Sequence, residues 1–293
     1  MDRKKSFLNV AVSVGFQVIT MIMGIVLKRM LIQYCGNEVN GLNALYLSIV
    51  GILSVAELGV GSAITFGMYR PIVEGNHLQI SALYHLYNRV YKLIGGIVFL
   101  GGLITIPFLP YFAADYTELA VSLSSTFFLM LLSSVLTFMF GAKTALINAY
   151  KNNYITTTIY SSGIIIQYIL QAIVLIFTKS FFYYLVCRII AVIIQWVITD
   201  LITRKKYHAI LVTKAKLEPA LRYDLTKNIR AMFMHKIGGL LVDTVDSLVI
   251  SSFIGVAILG KYSNYTAIML SMTGVIMLVF TSLISVVGHM CAT

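Results

Sequence analysis

Eight stretches of this chain are each long and apolar enough to cross the hydrocarbon of a bilayer, and no other feature restricts the fold as much. About 20 apolar residues in a helix suffice to span a membrane. The stretches fall at roughly 7–33, 41–68, 90–112, 119–141, 157–178, 181–203, 229–254 and 261–288. All are expected to be helices, because lipid offers no partner to an exposed backbone N–H or C=O. Composition agrees, with 59% hydrophobic and 11% charged residues where a soluble domain carries ~25% charged. So large an apolar excess cannot be hidden in one compact core. The expected fold class is all-α, a polytopic membrane helical bundle of about eight transmembrane helices.

Charge placement sets the expected topology. The net charge of +11 comes from 22 basic and 11 acidic residues. With the N-terminus in the cytoplasm, 17 of the 22 Lys and Arg fall on the inner side, including Arg3, Lys4, Lys5, Lys143, Lys151 and the run from Arg204 to Lys236. Only Lys179 and Lys261 fall in outer turns, and Lys28, Arg29 and Arg188 lie within spans. This is the positive-inside pattern. Because the basic residues punctuate apolar spans, they point to anionic membrane lipids as partners and away from nucleic acid. The first span is expected to be a retained signal anchor, being too long for a cleaved peptide and lacking a small-residue exit. Cys35, Cys187 and Cys291 are widely spaced, and the five histidines show no ligand spacing, so neither a disulfide framework nor a metal or cofactor site is expected.

The stretch 204–228 is the longest polar segment and separates six spans from two. It is expected to be a cytoplasmic linker between a six-helix lobe, 1–203, and an incomplete second lobe, 229–293. A short repeat agrees with this division. Gly36 and Gly41 after the first span match Gly255 and Gly260 after the seventh at a constant offset of 219, and repeats of this kind in transporters place the substrate between the halves. Residues 78–91 are expected to form an interfacial amphipathic helix. Gly255-Val-Ala-Ile-Leu-Gly260-Lys261 fits most of a phosphate-binding loop, but Tyr262 stands where Ser or Thr should hold magnesium, and no strand precedes it.

Several segments carry a resemblance to a known family. They are Ile25-Val-Leu-Lys-Arg-Met-Leu-Ile, Ala56-Glu57-Leu58-Gly59-Val60-Gly61-Ser62-Ala63-Ile64, Tyr69-Arg70-Pro71, Leu146-Ile147-Asn148-Ala149, Val242-Asp243-Thr244-Val245-Asp246, and Ile250 through Tyr265. Together they resemble the polysaccharide-transporter branch of the multidrug/oligosaccharidyl-lipid/polysaccharide (MOP, MATE-like) exporter superfamily, along essentially the whole chain. The resemblance implies a Wzx-type flippase of the bacterial plasma membrane. Its substrate would be a lipid-linked oligosaccharide for polysaccharide biosynthesis, with a polysaccharide polymerase among its neighbours. Family members have two pseudo-symmetric six-helix lobes, so this chain would supply one lobe and two helices of the second, as a truncated chain would.

A flippase makes and breaks no covalent bond, and no catalytic residue is expected. It needs cationic donors for phosphate and polar or aromatic groups for sugars. An ionisable residue within a membrane helix costs about 2.5–3.5 kcal/mol on insertion scales and by default serves function. Lys28 and Arg29 are candidate headgroup contacts, the guanidinium fork suiting phosphate; snorkelling to the outer surface is the alternative. Being about 100° apart on a helix, they are expected to face different ways. Glu57 is either a structural ion-pair partner of Arg29, the preferred reading, or a coupling site. Arg188, with Gln195 on the same face, is a second phosphate candidate or a helix-to-helix contact. Asp243 and Asp246 share a face and could bind a coupling ion or bond to the linker. Asn264, Tyr262 and Tyr265 are cavity-lining candidates, with an interfacial belt as the alternative for the tyrosines. A drug/cation antiporter of the same superfamily and a non-transporting remnant are the competing expectations.

Overall fold

A computed structural model describes residues 3–57, 60–113, 121–213, 215 and 244–291. Every element among them is helical: α1 (Arg3–Cys35), α2 (Asn37–Leu53), α3 (Val60–Val73), α4 (His77–Thr105), α5 (Leu109–Phe112), α6 (Leu123–Ala149), α7 (Asn153–Thr178), α8 (Phe181–Val212), α9 (Thr244–Phe253) and α10 (Val256–Cys291). Five segments among the described residues are long and apolar enough to cross a membrane: Gly15–Cys35, His77–Phe112, Leu123–Ala149, Asn153–Thr178 and Phe181–Val212. They match the first, third, fourth, fifth and sixth expected spans. Large apolar side chains such as Phe66, Leu100, Ile104, Phe177 and Leu201 stand exposed on the outside, the surface that lipid would cover.

The second expected span is not one helix. A 3-10 turn over Ser54–Glu57 separates α2 from α3, and nothing in the apolar run 41–68 marked that break. Residues 78–91 are not a separate interfacial helix either. They form the first turns of α4, which runs unbroken from His77 to Thr105. Asn76 caps this helix by accepting from Gln79 N at 3.1 Å, and Ile80, Leu83 and Tyr84 are buried. What looked like a lipid-facing stripe packs on protein: Ser81 Oγ donates to Ile210 O at 2.9 Å on α8 and also to Thr213 O. α8 continues past residue 203 to Val212, so the expected linker starts as helix. Residues 214 and 216–243, Asp243 among them, lie outside the described residues. Pro107 and Pro110 fall where α4 gives way to a short 3-10 turn and α5, at a helix end where a lost N–H donor matters least.

The repeated glycines have a structural basis. Gly36 (φ 94°) and Gly255 (φ 121°) adopt positive φ just before α2 and α10, a conformation nearly reserved for glycine. Further along, Gly41 and Gly260 let α2 and α10 meet backbone to backbone. A methyl group on Gly41 would overlap Val256 O and lie 2.8 Å from Gly260 N, while one on Gly260 would overlap Asn37 O. At the 219-residue offset, 37 maps onto 256 and 41 onto 260. Each glycine therefore meets the counterpart of what its own equivalent meets, the reciprocity a local two-fold relation produces. Asn40, 2% exposed, closes the junction by donating to Gly260 O at 2.9 Å, Ser263 Oγ at 3.1 Å and Asn264 Oδ1 at 3.2 Å.

Candidate functional site

Helix α1 presents its lining residues in adjacent pairs four apart: Thr20 and Met21, Gly24 and Ile25, Lys28 and Arg29, Ile32 and Gln33. Pairs at that spacing form two neighbouring stripes, a face at least 100° wide. This face bounds a cavity of about 760 Å³, lined on the other sides by Tyr168 of α7 and by Asn264, Ala267 and Ile268 of α10. The cavity thus lies where the first helices meet α10, beside the reciprocal glycine contact.

Lys28 and Arg29 both line it, contrary to the expectation that they diverge; the cavity is wide enough to take both stripes. Their states differ. Lys28 is half-buried and donates to Ser263 Oγ at 3.1 Å and to the Ser263 carbonyl. Arg29 is exposed and has no hydrogen-bond or ion-pair partner among the described residues. Its five donors are free for a ligand. Asn264 lines the cavity as expected. Tyr262 and Tyr265 do not. Tyr262 donates to Asp246 Oδ2 at 3.0 Å, and Tyr265 is 70% exposed away from it.

The expected pair between Arg29 and Glu57 is not formed. Glu57 sits at the end of the 3-10 break and accepts from Tyr91 Oη at 2.6 Å, a charge-assisted bond. Tyr91 in turn packs edge-on to Tyr87, with ring centroids 4.5 Å apart. Both phenols crowd Gly61, where a methyl group would come within 2.7 Å of Tyr91 Oη. The break in the second span carries Glu57 toward α4, away from α1. Arg188 does not line the cavity. It lies within electrostatic range of Tyr160, Tyr168 and Tyr184, one helix behind the cavity wall, while Gln195 packs its amide onto Gly163 of α7.

Three polar lining residues were not among the expected ones: Thr20, Gln33 and Tyr168. Gln33 is one turn beyond Arg29 on the same stripe, and that spacing could have found it. Tyr168 lies in the middle of its span, whereas belt tyrosines sit at the ends, and that position was a usable signal. Together the cavity offers a held ammonium, a free guanidinium, two amides, a phenol and the Thr20 hydroxyl. Such a set can grip a phosphate with charge and fork geometry and can meet hydroxyl groups with the rest.

Among known proteins, neither a family model nor a curated protein matches the chain. A solved structure of a chain designated protein A superposes with a TM-score of 0.63 at 15% sequence identity. The likeness covers 92% of this chain, which spans 63% of the length of that one. At this identity the likeness is one of fold. Fold and composition together define the class: a protein helical throughout its described residues and built to lie in a membrane.

Proposed function

We propose that this chain is a transporter of lipid-linked oligosaccharides, carrying a phosphate-bearing sugar headgroup from the cytoplasmic to the outer leaflet of a bacterial plasma membrane. The observation that carries the reading is the placement of Lys28 and an unpartnered Arg29 on one wall of a 760 Å³ cavity between α1, α7 and α10. A guanidinium within a membrane helix is costly unless a ligand or partner compensates it. The lipid tail would remain in the hydrocarbon while the headgroup passes between the repeat-related parts. The N-terminus is cytoplasmic in this reading, and a polysaccharide polymerase is the expected downstream partner. The reciprocal α2–α10 contact supports it, because inverted and parallel repeats in transporters bracket their substrate in the same way.

The test is reconstitution of the full chain in liposomes with a fluorescent polyprenyl-pyrophosphate oligosaccharide in both leaflets. Movement is read as the fraction of outer fluorophore lost to a membrane-impermeant quencher over time. Protein-dependent movement that falls at least ten-fold in Arg29→Gln is the expected result. No movement above protein-free liposomes would remove the proposal.

A further inference from the structure

A second cavity, of about 430 Å³, lies between α4, α6 and α8 at the far end of the bundle from Arg29. Nothing in the proposed transport path uses it. Its cations are Lys92, Lys143 and Arg204, with a single carboxylate, Asp200, among its lining residues. Asp200 accepts from Lys143 Nζ through one oxygen and from Arg204 Nε at 2.7 Å through the other. One carboxylate thus fixes two cations and neutralises one of them. Lys92 is exposed and has no ion-pair partner among the described residues. The cavity therefore holds preorganised positive charge in excess. His85 adds to the wall with its Nε2 donating to Thr213 O at 3.0 Å.

The depth of these groups is shared. At 1.5 Å per residue, Lys92 lies about 30 Å from Phe112, Lys143 about 30 Å from Leu123, and Asp200 and Arg204 about 28 Å and 34 Å from Phe181. The hydrocarbon of a bilayer is about 30 Å thick. Three helices counted independently thus bring their cations to one plane, the hydrocarbon edge. Just below that plane the cavity wall is apolar and open: Trp196 is 39% and Met139 40% exposed. Tryptophan at this level is an interfacial residue, with its ring in the acyl region and its N–H toward the headgroups.

Positive charge at headgroup depth above an apolar, laterally open wall suits a ligand that is anionic at one end and aliphatic at the other. We propose that the α4–α6–α8 cavity binds the headgroup of an anionic phospholipid, with its phosphate between Lys92 and Arg204 and its acyl chains along Trp196 and Met139. Basic pockets between membrane helices are a recognised means of holding such lipids. The site is separate from the cavity proposed for transport, and its existence does not depend on that function.

Trp196 is the only tryptophan in the chain, so its fluorescence reports on this cavity alone. The full chain in nanodiscs would be exposed to phosphatidylglycerol or phosphatidylcholine brominated on the acyl chains, in a phosphatidylcholine background. The expected result is half-maximal quenching at a mole fraction at least five-fold lower for the anionic lipid, a loss of about five-fold in that preference in Lys92→Gln, and no remaining preference in Lys92→Gln/Arg204→Gln. Lys92→Gln removes an exposed, unpaired side chain and leaves the Asp200 pairs intact, so its effect is not one of misfolding. Equal quenching by the two lipids would overturn the proposal, and so would a preference unchanged in both variants. Abolition of the preference by millimolar inorganic phosphate would also overturn it, by making the ligand a soluble anion.

Discussion

Replacing Gly41 by alanine adds one methyl group at the point where α2 and α10 touch through main chain. That methyl would overlap Val256 O and stand 2.8 Å from Gly260 N. A carbon approaching a carbonyl oxygen settles at about 3.3–3.6 Å, so the helices must part by at least about 0.5 Å at the nitrogen and by more at the oxygen. Backbone cannot change rotamer to make room, and the displacement is passed to Asn40, one residue away. The two Asn40 amide hydrogens are shared among three acceptors on α10, a hydrogen bond being worth about 0.5–1.5 kcal/mol net, and overpacking alone typically costs about 1–3 kcal/mol. The expected destabilisation is about 3 kcal/mol. Gly96→Ala serves as the control, since a methyl there meets nothing within 4 Å and the better helix former gains up to about 1 kcal/mol. Thermal unfolding in detergent, followed by circular dichroism, compares the two. If Gly41→Ala unfolds at the same temperature as Gly96→Ala, the close α2–α10 contact is not how the molecule is held together.

Five further substitutions each test a single side chain. Tyr91→Phe removes the one donor shown for Glu57 and should lower stability by about 1.5–3 kcal/mol, the range for a bond to a charged group, read in the same unfolding assay. Asp200→Asn should cost about 3 kcal/mol, because Lys143 and Asp200 are only 16% and 17% exposed and breaking a largely buried pair strands a charge; Glu74→Gln should leave the unfolding temperature unchanged, its pair with Arg70 being 88% and 48% exposed. Lys28→Met should reduce both folded yield and transport, since Lys28 also tethers α1 to Ser263, whereas Arg29→Gln should reduce transport at undiminished yield.

Much of the helical architecture could be read from the sequence, because hydropathy over 20 residues measures the same quantity that lipid selects. The turns at Gly36 and Gly255 were legible for a different reason: only glycine tolerates their φ. The break at Ser54–Glu57 was hidden because Ser, Val and Ala are as common within membrane helices as at their ends. The role of residues 78–91 is not legible in their pattern, since an apolar stripe states that something covers it without stating what; here α8 does. Pairing was the least legible. Charge alone joins Arg29 to Glu57, while the actual partner of Glu57 is a phenol 34 positions later, brought close by the packing of α3 and α4. The basic cavity between α4, α6 and α8 stays hidden when Lys92, Lys143 and Arg204 are each taken separately as marks of topology, although their similar distances from the opposite helix ends are countable.

The junction of Gly41 with Gly260 is made largely of main chain, which gives it an all-or-none character. Side-chain interfaces can loosen by degrees as rotamers exchange and methyl groups slide into new holes. Two backbones in contact have no such intermediate positions. Any rearrangement of α10 against α2 must either swing about this point as about a pin or release it in one step.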